Sequence, residues 1–336
     1  MIADLLTTEN DRLLNDLLES CDRRPCGWAD CGQSSASTRY LADDIGQTVE
    51  SGGLAKTWLM DHRMTGLCVT AVDDRASHEL NRRVFRIRHL LALGRPAEQA
   101  LVKGLLVRDS MRQAGRRACF VARIPGTDLA GINALERLDY TLSNTSLTLV
   151  RDLSEYVLSA GQESATTGTG QPYEVRTAEP VEVEAALNET ADQIPDGLLG
   201  WDLRLSPRAA ARVHGAWLRD YANNGNLLIA RDGRRPVGLL AVSVAGRETA
   251  RMRTDTTRTL GFSVGSVDLV ATAHEYRGNG VVPRLLGDVL DEFKRNGIRY
   301  AQVSAPTSET PLIAHCQRQG FTVVGSTLTL THQGQA

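Results

Sequence analysis

The chain has 336 residues, which is enough for two domains of about 150 residues each. Apolar residues make up 42% of it and charged residues 23%, an ordinary balance for a globular protein that excludes a wholly disordered chain. The 38 lysine and arginine residues nearly balance the 40 aspartate and glutamate residues, and the net charge is -2. Neither a nucleic-acid partner nor a polybasic membrane contact is therefore expected.

The amino-terminal residues and the apolar segments bear on localisation. Residues 1–14 lack the basic start and apolar block of a secretion signal. The longest apolar stretches, such as residues 237–244, are much shorter than the roughly 20 residues that span a bilayer. We expect a cytoplasmic protein with no membrane partner.

The first predicted element is an amphipathic helix near the amino terminus. Its apolar residues recur at helical spacing: Leu13, Leu14, Leu17, Leu18 and Cys21. Cys21, Cys26 and Cys31 are evenly spaced, which matches no common zinc pattern, and no Cys-x-x-Cys pair occurs. We therefore expect no metal site and interpret the six cysteines as small buried side chains or reduced thiols.

The chain contains an internal duplication. Residues 139–149 (DYTLSNTSLTL) align with residues 320–330 (GFTVVGSTLTL), with four identities and four like-for-like changes. Further upstream, Gly115 falls opposite Gly297 and Arg95 opposite Arg277. The offset drifts across a loop, which is typical of duplicated domains rather than short tandem repeats. Residues 159–172, rich in Gly, Ser and Thr, are interpreted as a flexible linker between the copies.

The second copy alternates strand and helix patterns. An Asp-Gly turn at residues 232–233 joins two apolar strands, at residues 227–230 and 237–244. The elements that follow are a strand, a helix closed by Gly297, a strand, a helix and a strand, at residues 265–272, 283–296, 300–305, 311–318 and 321–331. This order predicts an α/β fold.

A glycine-containing loop lies between the strand 265–272 and the helix that follows it. Gly278 and Gly280 allow backbone amides to approach a ligand, and the helix N-terminus adds a partial positive charge. The pattern indicates an anion site, although a strand-to-helix connector that binds no ligand would show the same sequence pattern. The loop is neither a Walker loop nor a dinucleotide fingerprint, because no Gly-Lys-Ser/Thr follows and Val282 stands at the third glycine.

Three segments together resemble a known family. HEYRGNGVVPRLL, NGIRYAQVSAP and PLIAHCQRQGFTVVGSTLTL resemble the acyl-CoA-binding core of the GNAT acetyltransferase superfamily over about residues 226–331. The first copy matches the same layout weakly. The resemblance implies two tandem GNAT-like domains, each a mixed β-sheet flanked by helices: residues 1–158, a linker at 159–172, and an acyl-CoA-binding catalytic domain at 173–336.

The resemblance also implies a co-substrate, acetyl-CoA or another acyl-CoA, with no metal. Its pantetheine arm would pair with the backbone of Val270 and Thr272. Its pyrophosphate would rest on the loop and first helical turn, at Arg277, Gly278, Asn279, Gly280, Val281 and Val282. Glu275 departs from the family pattern by placing a carboxylate where Gln or Arg is usual, and Arg277 remains to supply positive charge.

The two copies differ at this loop. Pro96 and Glu98 replace the two glycines in the first copy, which removes an N–H donor and adds negative charge where phosphates would lie. We expect no coenzyme A there. The first copy is either a structural partner that helps to form the acceptor cleft or a relic that only stabilises the second copy.

Acyl transfer to an amine requires a base and an acid. Aligned with the family, Cys316 takes the place of the usual tyrosine acid, with Leu135 as its counterpart in the first copy. Cys316 would be the acid or a packed small hydrophobe, and the adjacent His315 is the other candidate. Asp268 is the candidate base, directly or through a water, and strand periodicity places it on the face opposite Val267 and Leu269.

Two features of the second copy bear on the acceptor. The helical stretch 206–225 resembles GNAT enzymes acting on amino groups of sugars or antibiotic precursors, and mycothiol synthase is a tandem relative. Arginines at positions 247, 251, 253 and 258 would bind a diphosphate, a carboxylate or an acyl carrier protein, or belong to a solvated hairpin.

We predict an N-acyltransferase acting on a primary amine of a small molecule, in secondary metabolism. Two alternatives stay open. One is a thioester enzyme that transfers to a carrier thiol or decarboxylates a malonyl group, and the other is a non-catalytic acyl-CoA-binding module.

Overall fold

The computed structural model describes residues 2–4, 10–21, 34–158, 173–190, 207–244 and 261–334. Within these ranges the helices are α1 (Asn10–Ser20), α2 (Ser34–Glu50), α3 (Asp74–Leu80), α4 (Pro96–Ala114), α5 (Leu129–Glu136), α6 (Val183–Thr190), α7 (Pro207–Asn223), α8 (Val281–Arg295) and α9 (Thr310–Arg318). The strands are β1 (Ile2–Asp4), β2 (Leu54–Met60), β3 (Arg63–Val72), β4 (Val84–Ala92), β5 (Cys119–Pro125), β6 (Thr141–Asp152), β7 (Glu174–Thr177), β8 (Leu227–Asp232), β9 (Arg235–Val244), β10 (Val264–Thr272), β11 (Tyr300–Pro306) and β12 (Thr322–Gln333).

The duplication seen in the sequence is present in the order of elements. The first half runs β2, β3, α3, β4, α4, β5, α5, β6, and the described residues of the second half run β8, β9, β10, α8, β11, α9, β12, the same order apart from α3. Each series is preceded by a strand and two helices. The predicted elements of the second copy are confirmed to within a few residues at their ends.

Local sequence accounts for the boundaries of α8, the helix that follows the glycine loop. It begins after Gly280, which has a φ of 84°. Pro283 fits the first turn, where its missing N–H removes no intrahelical bond. Apolar residues on one side of the helix are buried, and Gly297 follows the last turn with a φ of 70°, a left-handed conformation that ends helices.

The strands form one continuous sheet rather than one sheet in each half. Its order is β1-β2-β3-β4-β5-β12-β6-β11-β10-β9-β8-β7. The pairs β4–β5 and β10–β11 are parallel, and every other neighbouring pair is antiparallel. The last strand of each half therefore crosses over: β6 pairs with β11 of the second half, and β12 pairs with β5 of the first.

This exchange has an approximate two-fold axis. Ser146 pairs with Thr327, and these two residues occupy equivalent positions in the two copies. On either side of them, Leu147 pairs with Ser326 and Thr145 with Leu328, which are again reciprocal positions. Because β6 and β12 are antiparallel neighbours, the axis passes between them perpendicular to the sheet.

Helices cover both faces of the sheet. On the first face α8 and α9 pack against the second half, and α4 and α5 pack against the first half. On the second face α6 and α7 cover β8, β9 and β10, while α1 and α2 cover β2, β3 and β4. The central strands β12, β6 and β11 therefore lie between these two helix pairs on the second face, where α3 covers β4 and β5.

The halves also share hydrophobic cores. Leu149, Leu153 and Tyr156 of the first half are buried among residues of α8, β9 and β11. The Tyr156 hydroxyl donates to Asp291 Oδ1 at 2.8 Å. Burying a leucine contributes about 1.5–3 kcal/mol, so each half relies on side chains of the other for its stability.

A second contact joins α3 of the first half to α7 of the second. Val213 packs beside Val121 in a small cluster, and Arg75 forms an ion pair with Asp220. Arg212 Nη2 donates to the Glu79 carbonyl at 3.1 Å. No helix in the described ranges is long and apolar enough to cross a membrane.

Candidate active site

A narrow cleft, with room for little more than one water molecule, lies between the parallel strands β10 and β11. Their pairing begins at Val264–Tyr300 and ends at Val267–Val303, after which the strands diverge. The residues that line the cleft come from both strands and from α9: Val267, Leu269, Val270, Val303, Ser304, Pro306, Glu309 and Leu312. From Asp268 to Thr272 the side of β10 that faces β11 has no paired strand. This edge is available to an extended ligand.

The glycine loop lies at the carboxyl end of β10. A short 3-10 turn (His274–Tyr276) leads to Gly278, which has a φ of 78°, and then to Gly280. No atom lies within 4 Å of where a Cβ on Gly278 would be, so the space beside the backbone is open. The first N–H groups of α8 lack intrahelical acceptors, and together with Gly278 they form the corner that is predicted to bind an anion.

Two of the predicted phosphate-binding amides are already engaged. The Arg277 N–H donates to the His274 carbonyl at 3.3 Å, and the Asn279 N–H donates to the Tyr276 carbonyl at 3.2 Å. Of the predicted set this leaves the amides of Gly278, Gly280, Val281 and Val282. The Arg277 side chain is exposed, so its charge faces solvent beside the loop.

The carboxylate of Glu275 on this loop is paired with an arginine that sequence reasoning missed. Arg235, at the start of β9, donates to Glu275 Oε2 at 2.7 Å and to Glu189 Oε2 of α6 at 2.7 Å. The Arg235 guanidinium also lies 5.6 Å from the centre of the Tyr276 ring. Both carboxylates raise the pKa of Arg235, so its charge is permanent. The negative charge of Glu275, which departs from the family pattern, is therefore neutralised by the neighbouring Arg235.

Asp268 lies at a β-bulge. The pairing of β10 with β9 shifts between Val267 and Leu269, so Asp268 is the extra residue. The expectation that Val267 and Leu269 share a face is wrong: Val267 packs on the first face and Leu269 on the second. The bulge breaks the two-residue alternation on which that expectation depended.

The bulge directs the Asp268 carboxylate toward α7. The Tyr221 hydroxyl donates to Asp268 Oδ2 at 2.9 Å, and the carboxylate is half-buried. The Trp217 ring lies 4.5 Å from the Tyr221 ring, one turn earlier on the same helix. Sequence reasoning missed Tyr221, since nothing in the local pattern shows which strand residue a helix tyrosine meets.

The two candidate acids lie on α9. Cys316 is fully buried in the hydrophobic core of the second half, and this burial raises the pKa of its thiol to about 12. The packing alternative for Cys316 is therefore favoured. Burial, with a smaller effect of the Arg318 charge, lowers the pKa of His315, and its Nε2 has no partner among the described residues.

The first half has a different structure at the equivalent loop. Helix α4 begins at Pro96, and Glu98 in its first turn accepts the Arg95 N–H at 3.0 Å. The Arg95 side chain donates to the same carboxylate at 2.8 Å. A carboxylate of the chain itself thus occupies the anion-binding end of this helix. Leu135, the counterpart of Cys316, is fully buried.

Strand β4 of the first half has a bulge at the position equivalent to the Asp268 bulge of β10. The extra residue there carries a positive charge instead of a carboxylate. Arg88 is the extra residue there, and its Nη2 donates to Asp44 Oδ1 of α2 at 2.6 Å. His89 Nε2 lies 2.6 Å from Asp44 Oδ2. The position equivalent to Asp268, the candidate base, therefore carries the opposite charge in the first half.

Other predicted features lie elsewhere. The arginines at positions 247, 251, 253 and 258, the linker at 159–172, and Cys26 and Cys31 are outside the described residues. Cys21 is half-buried at the end of α1. In the part of the chain that the structure describes, no three His, Cys, Asp or Glu side chains lie together as a metal site would require.

Comparisons with known proteins show the fold. No family model matches the chain, and no curated protein matches it in sequence. A GCN5-related glucosamine N-acetyltransferase region of a fungal multi-domain GH3 β-N-acetylglucosaminidase aligns with a TM-score of 0.63 and 14% identity over 98% of this chain. This chain spans only 38% of that protein.

Two further solved structures match over nearly their whole length. A GCN5-related N-acetyltransferase from Sphaerobacter thermophilus has a TM-score of 0.59 and 14% identity, covering 100% of this chain and 96% of its own. A tandem GNAT protein from the clavulanic acid biosynthesis pathway has a TM-score of 0.58 and 13% identity, covering 100% and 99%. The chain therefore has the GNAT fold in its tandem form.

Proposed function

We propose that this chain is an acyl-CoA-dependent N-acyltransferase. It moves an acetyl or other short acyl group to a primary amine of a small molecule, such as an amino sugar or an antibiotic precursor. The observation that carries the proposal is the end of the β10–β11 pairing at Val267–Val303, which leaves the edge of β10 unpaired from Asp268 up to the residues that lead into the glycine loop.

The residues at the cleft fit acyl-CoA. Gly278 leaves open space beside the backbone, and the first turn of α8 offers N–H groups to a pyrophosphate. The Thr272 hydroxyl is buried without a partner among the described residues, at the edge predicted to meet the pantetheine arm. When bound, acyl-CoA supplies an activated acyl group as a thioester.

Side chains and backbone groups of the second half supply the base, its positioning and the stabilisation of negative charge. Asp268 accepts the proton that the acceptor amine loses, directly or through a water. Tyr221 is a positioning residue, since its hydroxyl bond holds the carboxylate in one orientation. Backbone N–H groups of β10 between Val270 and Thr272 stabilise negative charge that develops on a carbonyl oxygen.

Neither Cys316 nor His315 is a strong general acid. The raised pKa of Cys316 makes its thiol a weaker donor than an ordinary cysteine, and the lowered pKa of His315 leaves its imidazole neutral at pH 7. A thiol has an ordinary pKa of about 8.5, so its thiolate is an adequate leaving group near neutral pH. The departing thiol therefore takes its proton from solvent.

Titration calorimetry with acetyl-CoA and longer acyl-CoAs tests the cofactor assignment. We expect one site per chain, lost in Gly280→Glu, because the new side chain strains a left-handed position and adds negative charge at the phosphate corner. Glu98→Ala is the matched control and leaves binding unchanged, because the first half takes no acyl-CoA. Equal losses in both variants, or two sites per chain, would contradict the assignment.

Assays with amines then test turnover. Acetylation of primary amines supports the proposal. Binding of acyl-CoA without turnover on a broad amine panel would instead indicate a non-catalytic module, and carbon dioxide release from malonyl-CoA would indicate a related thioester enzyme.

A further inference from the structure

The exchange of strands brings residues of the first half beside the cleft of the second half. Ser304 of β11 lines the cleft, one residue after the last pair between β10 and β11. Thr148 of β6 pairs directly with Ser304, and Gly325 of β12 pairs directly with Thr148. Ser304, Thr148 and Gly325 thus form one row of paired residues, which runs from the cleft across the two exchanged strands, β6 and β12.

This row lies on the second face of the sheet, the same face as α7. Val303 and Ala305 of β11 and Leu149 of β6 pack in the core of the first face. Since side chains alternate along a strand, Ser304 and Thr148 point to the opposite face. The Asp268 carboxylate is directed to that face as well, because it accepts the hydroxyl bond from Tyr221 of α7.

The floor formed there is uncharged and rich in hydroxyls. In the next row Ser146 pairs with Thr327, on the same face as Thr148. Among the described residues, none of the hydroxyls of Ser304, Thr148, Ser146 and Thr327 takes part in a hydrogen bond. A hydroxyl both donates and accepts, so these four side chains suit a ligand that carries hydroxyls itself.

Gly325 leaves room above this floor. It is exposed, its φ is not in the left-handed region, and no atom lies within 4 Å of the position that a Cβ would take. From β11 to β12 the floor crosses two strand spacings, about 10 Å. This is sufficient width for a small acceptor that reaches Asp268 at one side.

The charges around the floor argue against a strongly anionic acceptor. Arg151 of β6 points away, since its guanidinium lies 4.6 Å from the centre of the Tyr156 ring in the first-face core. Arg123 of β5 pairs with Thr329, which is two residues beyond Thr327 and on the far side of the two-fold axis from Asp268. Among the strands that form the floor, β11, β6 and β12, no arginine side chain therefore points to this face.

We propose that the acceptor binds across the exchanged strands, with its hydroxyl groups on Ser304, Thr148, Ser146 and Thr327 and its amine toward Asp268, and that it is an uncharged polyhydroxylated amine. This assignment rests on the proposed N-acyltransferase function. It gives the first half a direct part in substrate selection, although that half has no acyl-CoA site of its own.

The test uses the full chain, acetyl-CoA, and three acceptors: glucosamine, UDP-glucosamine and cyclohexylamine. Glucosamine should be acetylated with the highest kcat/KM. Gly325→Leu fills the space above the floor, so we expect it to raise the KM for glucosamine at least tenfold while the Kd for acetyl-CoA changes less than twofold. Gly46→Leu, at an exposed glycine within α2 that faces the groove beside α1, is the matched control and should change neither value.

A second variant separates lost hydroxyls from blocked space. Thr148→Val keeps the side-chain shape, so we expect the kcat/KM for glucosamine to fall about tenfold and that for cyclohexylamine to change less than twofold. An unchanged KM in Gly325→Leu, or a preference for UDP-glucosamine or cyclohexylamine in the unmodified chain, overturns this proposal and leaves the acyltransferase assignment standing. If acetyl-CoA binds and no amine is acetylated, the proposed function fails and this proposal fails with it.

Discussion

Asp268 shows how a single residue acquires its chemistry from a backbone irregularity. The sequence places an acidic residue in the middle of an apolar strand, where ordinary alternation leaves it facing one side or the other. The bulge turns it toward α7, where the Tyr221 hydroxyl meets it. An acidic side chain held by a neutral donor beside a cleft is suited to accept a proton from an approaching amine.

The Tyr221→Phe variant tests this positioning role. Removing the hydroxyl takes away one hydrogen bond to a charged acceptor, worth about 1.5–3 kcal/mol. We expect kcat to fall about tenfold or more while the Kd for acetyl-CoA stays unchanged, measured by steady-state kinetics and calorimetry. A KM effect with unchanged kcat would point to a role in binding the acceptor instead.

At the scale of elements, the hairpin of β8 and β9 stabilises the glycine loop. Arg235 at the start of β9 links Glu275 on the loop to Glu189 on α6, and Tyr276 donates its hydroxyl to Asp232 Oδ2 at 3.1 Å. These contacts join three elements at the place where phosphates would bind. The loop therefore has a defined shape before any ligand arrives.

A double-mutant cycle measures how far Arg235 reduces the repulsion between the Glu275 carboxylate and a bound pyrophosphate. Arg235→Ala leaves the Glu275 carboxylate uncompensated beside the phosphate corner. Because the pair is largely exposed, we expect only a three- to fivefold rise in the acetyl-CoA Kd. Adding Glu275→Gln should restore most of the affinity, and a double variant as weak as Arg235→Ala alone would contradict the charge argument.

In the first half, contacts between charged and polar side chains link α2 to β4. Burial alone would raise the pKa of Asp44, but the hydrogen bond with His89 and the charge of Arg88 outweigh it and hold the pKa below its ordinary value. A carboxyl whose pKa is lowered by folding contributes stability above its unfolded pKa of about 4. That contribution is lost as the pH falls through the lower folded value.

Replacing Asp44 by asparagine removes the negative charge and leaves two basic side chains without it. We expect the free energy of unfolding at pH 7 to fall by about 3 kcal/mol. Stability should also decline less steeply below pH 4 than in the unmodified protein, as measured by urea unfolding at several pH values. An unchanged acid dependence would show that Asp44 does not control it.

At the scale of the whole molecule, the duplicated halves behave as one unit because their last strands are exchanged. β6 lies in the sheet of the second half and β12 in that of the first. Side chains such as Leu149 and Tyr156 complete the core across the boundary. This contribution fits both roles considered for the first half, a structural partner at the acceptor cleft and a relic that only stabilises the second copy.

Cleaving the chain between its halves tests this interdependence. A protease site introduced within residues 159–172 and cut after purification should leave the two fragments associated on gel filtration. We expect a single unfolding transition and unchanged acetyl-CoA binding, because the exchanged strands hold the fragments together. Separation of the fragments under native conditions would show that the halves are independent domains.

Much of the fold could be read from the sequence. Apolar periodicity located the elements of the second copy, including α8, since helix and strand periods are properties of the local chain. Local backbone chemistry likewise predicted the loop, because Gly278 and Gly280 both adopt left-handed conformations there. The internal repeat predicted the tandem order.

The tertiary structure alone decided which strand pairs with which and where side chains meet. The pattern of β6 suits its own half and the other half equally well, so periodicity could not reveal the exchange that pairs Thr148 with Ser304. The bulge at Asp268 depends on how β10 pairs with β9, and the Tyr221 and Arg235 contacts join residues far apart in the chain. Local propensity determines elements, whereas partners, register and orientation depend on packing between them.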